Sequence, residues 1–180
     1  MPSPVRNRFS HYELEPTIET WADWAFAHNI DSSIISFLQY RPELLYKFKA
    51  DEYAFPTPRS WSFVNKKITI NQDNISDEDF FYGVSSLVGD GPAGEFVAFK
   101  QIADKLPDID KIIAKPETYT VKKEQDPALL YALSGALASR AEDKLMANIC
   151  KLIKKLPPEY QVVCIKGCLS KDKNLRTHND

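Results

Sequence analysis

Helix-start signals recur along this chain and divide it into short amphipathic segments. Several of its twelve prolines stand where a capping residue ends and a helical period begins. In the first such segment Ile18, Trp21, Ala22 and Phe26 fall on one helical face. The pattern predicts a mainly α fold of many short helices, preceded by one short strand at 9–14, where apolar and polar residues alternate.

The same signals predict the order of the helices. We expect them at 17–29, 31–40, 42–48, 57–69, 76–88, 92–106, 108–115, 127–140, 142–156 and 158–169. We divide the chain into a short piece at 1–16, a helical domain at 17–170 and a polar tail at 171–180. A chain of 180 residues is long enough to bury a core without metals or disulfides.

Charge and hydropathy exclude some classes of protein. The 23 basic and 25 acidic residues give a net charge of −2, so no overall basic field attracts nucleic acid or an anionic membrane. The lysines of the most basic segment (Lys144, Lys151, Lys154 and Lys155) are expected on the solvated face of an amphipathic helix. No apolar run reaches the length of a membrane span, and the first residues lack a signal-peptide core, so we expect a cytoplasmic protein.

The cysteines and histidines do not form a metal pattern. Cys150, Cys164 and Cys168 lie late in the chain on apolar segments, which predicts buried, reduced thiols. His11, His28 and His178 are scattered, so we expect no metal site. No spacing suggests a catalytic serine–histidine or cysteine–histidine pair, and the chain alone is not expected to be an enzyme.

Gly89, Gly91 and Gly94 spell the G-x-G-x-x-G pattern of dinucleotide-binding loops. That loop requires a preceding strand, because the pyrophosphate lies on a helix N-terminus at the end of a parallel strand. The preceding segment is helical in pattern, so we interpret the stretch as structural. Gly89 then ends one helix in a left-handed cap, Pro92 begins the next at its first position, and the small residues (Gly83, Ala93, Gly94 and Ala98) let two helices approach closely.

Arg59 stands at an unusual place for a cation. If Thr57 is an N-cap and Pro58 the first helical residue, Arg59 lies in the first turn, where the macrodipole disfavours positive charge. An anion bound there would account for the cation, since helix N-termini attract anions. A side chain extended into solvent and an ion pair with Asp51 or Glu52 are equally open at this point. Arg6 and Arg8 form a second, weaker candidate pair.

Three segments carry a resemblance to a family. RNRFSHYELEP at 6–16, AFPTPRSW at 54–61 and VSSLVGDGPAGEFVAF at 84–99 resemble the carboxy-terminal, helical lid part of MoxR-like AAA+ ATPases of phage and bacterial type. The resemblance covers about residues 5 to 170, and Thr57-Pro58-Arg59 is its sharpest motif. It implies that residues 1–16 are the end of an AAA+ core and that the helices form a lid.

The resemblance also implies roles for single residues. Arg59, following Pro58, corresponds to the sensor 2 arginine that reaches ATP bound on the core, and Arg8 to an arginine finger, with Arg6 as the fallback. The partners implied are a core domain or neighbouring subunits of a ring, with a protein substrate, and the complete ATPase would use ATP and Mg²⁺. The departure is large: the sequence contains no Walker A or Walker B motif, so this chain alone is not expected to bind or hydrolyse ATP.

An alternative function needs no nucleotide. The chain would then be a stand-alone helical interaction module, an adaptor that uses Trp21, Trp24, Phe80 and Phe81 as apolar anchors for a partner. This alternative predicts that several of these rings form one exposed patch.

Overall fold

A computed structural model describes residues 8–12, 15–48, 50–70, 75–121 and 125–171. Within these ranges the chain forms helices and no strand, which confirms the mainly α prediction. The α-helices are α1 (Ile18–Ala27), α2 (Ser32–Tyr40), α3 (Pro58–Ile70), α4 (Asp77–Val88), α5 (Asp90–Ala103), α6 (Ile109–Ala114), α7 (Pro127–Ser139), α8 (Asp143–Ile153) and α9 (Pro158–Lys171). Short 3₁₀ turns cover Pro42–Leu44 and Pro116–Thr118.

The strand predicted at 9–14 is not found in the part of that segment that the structure describes. Residues 8 and 9 form a turn and bend, and residues 10–12 are irregular. A strand needs a neighbour to satisfy its backbone groups, and no described segment provides one. Residues 172–180, most of the predicted polar tail, lie outside the described ranges, and α9 continues through Lys171.

Most helix starts follow the predicted capping residues. The Asp31 carboxylate accepts a hydrogen bond from the Ser33 amide at 2.8 Å, and the Ser76 hydroxyl accepts one from the Asp79 amide at 3.1 Å. These bonds satisfy amide groups that a helix leaves without an internal partner. The local sequence therefore determines where these helices begin.

The glycine stretch joins α4 to α5 more tightly than predicted. Gly89 has φ +87° and is at once the last cap of α4 and the first cap of α5, so α5 begins at Asp90 rather than at Pro92. Pro92 fits inside the first turn because amides there need no intrahelical acceptor. Gly83, predicted to face α5, is small for another reason, since a β-carbon there would meet the Lys67 side chain of α3.

One hydrophobic core connects the helices. The central helix is α7, which packs against α2, α5 and α9, while α1 covers α9 and α2. The rings of Phe37, Trp61 and Phe96 pack together with centroids 5.3 to 5.6 Å apart. None of the helices in the described ranges is long and apolar enough to cross a membrane.

Two lysines of the basic segment hold a neighbouring turn. Lys155 Nζ donates to the carbonyls of Pro116 and Tyr119 at 2.6 and 2.7 Å, and Lys151 pairs with Glu117 at 3.1 Å. The prediction of a purely solvated lysine face is therefore wrong for these two residues. They attach α8 to the 3₁₀ turn at Pro116–Thr118.

Candidate functional site

The first turn of α3 is capped from both sides. The Thr57 hydroxyl accepts a hydrogen bond from the Ser60 amide at 3.0 Å, and the Ser60 hydroxyl accepts one from the Thr57 amide at 2.8 Å. This is the reciprocal arrangement of a capping box, with serine in the position that glutamate often takes. Pro58 is the first helical residue, as predicted. The backbone that carries Arg59 is therefore fixed by local hydrogen bonds.

The next turn of α3 is anchored in the core. Trp61 is fully buried, and its indole Nε1 donates to the Leu44 carbonyl at 2.8 Å. Val64, one turn further, is also fully buried. Because the opposite face of the helix is immobilised in this way, Arg59 is held on a rigid support.

Arg59 projects from this support into solvent. Its side chain is exposed, and it forms no hydrogen bond or ion pair with another residue in the described ranges. The ion pair with Asp51 or Glu52 that the sequence left open is thus not formed. The first turn of α3 contains no acidic residue either. The guanidinium is free to bind an anion such as a phosphate, which it can contact with two parallel hydrogen bonds.

The other predicted arginines are not assembled with Arg59. Arg8 is exposed in the turn at residues 8 and 9, and no interaction between Arg8 and Arg59 is present. Arg6 lies outside the described residues. Within the part of the chain that the structure describes, no group of three or more histidine, cysteine, aspartate or glutamate side chains is placed to hold a metal ion.

The aromatic anchors of the alternative function are dispersed. Trp21 is buried, and Phe80 and Phe81 are half-buried against the core. Trp24 is 41% exposed and stacks on His28 with ring centroids 4.6 Å apart. Of these rings only Trp24 is available to a partner.

The thiols differ from one another. Cys164 and Cys168 are buried, as predicted, but Cys150 is exposed, so the prediction of three buried thiols is wrong for that residue. Cys150 follows buried Ile149 on α8, and the next helical position turns toward solvent. The hydrogen bond from Cys168, together with burial, raises the pKa of Cys164 well above its ordinary value.

Sequence reasoning missed the outward face of α3. Phe63 is 45% exposed, Lys66 Nζ lies 5.6 Å from the centroid of its ring, and Ile70 is 80% exposed. The signal was present in the sequence, since α3 carries one apolar set (Trp61, Val64 and Ile68) toward the core and a second set on the other side.

Comparison of the chain with protein-family models, with curated proteins and with solved structures gives no match. The resemblance to the lid of an AAA+ ATPase therefore depends on the motifs in the sequence and on the surroundings of Arg59.

Proposed function

We propose that this chain is the helical lid of a MoxR-like AAA+ ATPase and acts in the cytoplasm. In this function Arg59 contributes to a nucleotide site whose Walker A and Walker B motifs belong to a core outside this sequence. Arg8 would serve the nucleotide of a neighbouring subunit as an arginine finger, with Arg6 as the fallback. The chain alone would not be an enzyme.

One observation carries the proposal: Arg59 is exposed and without a partner at a rigid helix start. A cation at the N-terminus of a helix costs a few tenths of a kcal/mol or more when nothing compensates it. Neither a neighbouring acid nor burial explains its presence among the described residues. An anionic group delivered by a partner would supply the missing interaction.

The chemistry of phosphoryl transfer requires such a group. Negative charge spreads over the γ-phosphate oxygens in the transition state, and a positioned guanidinium stabilises it. Because Arg59 is held on a separate helical unit, movement of that unit relative to the core would bring the charge in or withdraw it. Binding at this position is the step through which the lid would couple its motion to hydrolysis.

The proposal predicts what accompanies the chain in its source cells. Purification through this chain, followed by sequencing of every polypeptide recovered, should yield Walker A and Walker B motifs, on the same polypeptide or on a second one in equal amount. Recovery of the 180-residue chain without any such motif would contradict the proposal.

The adaptor function remains a second candidate because of one cavity. A cavity of about 390 Å³ lies between α1 and α9, with apolar walls formed by Ile18, Phe26 and Val162. Val162 and Ile165 expose apolar surface on α9 beside it. This candidate predicts a protein partner without nucleotide motifs and no effect of Arg59 on its binding, so the same purification separates the two functions.

A further inference from the structure

The exposed side of α3 has a composition that differs from an ordinary solvated helix face. Arg59, Phe63, Lys66 and Ile70 follow one another at spacings of four, three and four residues, which places them on one side of the helix. We call these four residues the α3 stripe. All of them are exposed, and only Trp61 and Val64 of α3 are fully buried.

The α3 stripe joins apolar surface to positive charge. Phe63 and Ile70 expose 45% and 80% of their surface, although the core has room for large apolar residues elsewhere. The sequence of α3 contains basic residues and no acidic one. Anchors at this spacing are typical of a helix that lies in a groove of a partner. A complementary surface would therefore be apolar with acidic groups at its edge.

We infer that the α3 stripe is the surface by which this chain docks on the nucleotide-bearing core, and this inference rests on the function proposed above. The charge of the stripe and its continuity with Arg59 identify this occupant. Arg59 stands at one end and Ile70 about 16 Å away along the axis, at 1.5 Å per residue. The Arg59 end therefore faces the nucleotide, and the Ile70 end lies against an apolar, acidic part of the core.

Two roles are thereby separated on one helix. Phe63 and Ile70 supply buried apolar area and hold the complex together, since exposed aromatic and aliphatic anchors provide most of the energy of such contacts. Arg59 acts on the phosphate and contributes little to holding the complex. Loss of Phe63 should weaken docking, whereas loss of Arg59 should leave docking intact and remove activity.

The test is hydroxyl-radical footprinting by mass spectrometry, with the isolated chain compared with the native assembly purified from its source cells. The oxidation rates of Phe63 and Ile70 should fall several-fold in the assembly. Ile165 is an internal control, because it is 45% exposed, like Phe63, but lies on α9. Its rate should not change.

Variants make the outcomes distinguishable. Phe63→Glu should prevent recovery of the core or expose the α3 stripe again, whereas the matched Ile165→Glu should not. Circular dichroism verifies that both variants fold. Unchanged oxidation of Phe63 in an assembly that contains Walker motifs would overturn this inference and leave the proposed function standing. Absence of Walker motifs from the assembly would overturn both.

Discussion

Arg59 occupies a position where a cation weakens the helix that carries it. The capping hydrogen bonds of Thr57 and Ser60 satisfy the helix start without any help from Arg59. Its presence is therefore not explained by the stability of α3. The sequence alone predicted its position in the first turn, because the Thr57-Pro58 pair defines the helix start. It could not decide between solvent exposure and an ion pair, which depends on where the loop at 50–56 places its acids.

Replacement of Arg59 should slightly stabilise the isolated chain. Arg59→Ala removes an unfavourable interaction with the macrodipole, so the free energy of unfolding should rise by a few tenths of a kcal/mol at low salt and less at high salt. Urea denaturation measures the difference, with Lys66→Ala, two turns further along α3, as the control. A loss of more than about 0.5 kcal/mol would show that Arg59 makes a structural contact.

The thiols give a second test at single residues. Native protein should react with a thiol reagent rapidly at Cys150 alone, since Cys164 and Cys168 are buried. All three should react after denaturation. Reaction is measured by the mass added to each peptide. Rapid labelling of Cys164 in native protein would contradict the packing of α9 described above.

The packing of α2 on α7 depends on one glycine. A β-carbon at Gly135 would overlap the Ser36 hydroxyl and lie 3.3 Å from the Ser32 carbonyl oxygen. Ser36 is buried, and its hydroxyl has no hydrogen-bond partner among the described residues. The sequence predicted both helices, but it could not show that they meet at this pair, because the contact joins residues distant in the chain.

Substitutions at this pair should be strongly non-additive. Gly135→Ala should destabilise the protein by about 1–3 kcal/mol through overpacking, despite the better helix propensity of alanine. Ser36→Ala alone should be neutral or stabilising, since it removes an unsatisfied buried hydroxyl. The double variant should recover most of the loss.

Thermal or urea unfolding measures all three variants of this pair. Gly91→Ala is the control, because Gly91 is helical and has no atom within 4 Å of its missing β-carbon. Equal destabilisation by Gly135→Ala with and without the Ser36 hydroxyl would contradict the proposed contact.

Sequence reasoning was most successful for helices and least successful for what covers them. The caps at Asp31, Ser76 and Thr57 are local features, so they can be read from a few residues. The start of α5 at Asp90 was missed because the conformation of Gly89, with its positive φ, allows one residue to cap two helices. The roles of Lys151 and Lys155 were missed because their partners lie more than thirty positions away.

At the level of the whole molecule, the helices enclose one core but leave the α3 stripe uncovered. Arg59, Phe63 and Ile70 have no structural task within the described part of the chain. They make sense together if a partner brings an anion to one end of α3 and an apolar surface to the rest of it. The proposed lid function gives both requirements a single source.

The decisive measurement is the ATP hydrolysis rate of the native assembly with and without Arg59. Arg59→Ala should lower the rate by about a hundredfold to a thousandfold, the usual cost of losing one preorganised group that stabilises charge in the transition state, while the assembly keeps its composition. Lys144→Ala is the matched control, because Lys144 is also an exposed cation at the second position of a helix, α8, and it should leave the rate unchanged. An assembly in which Arg59→Ala hydrolyses ATP as fast as the wild type would contradict the role of Arg59 and with it the proposed function.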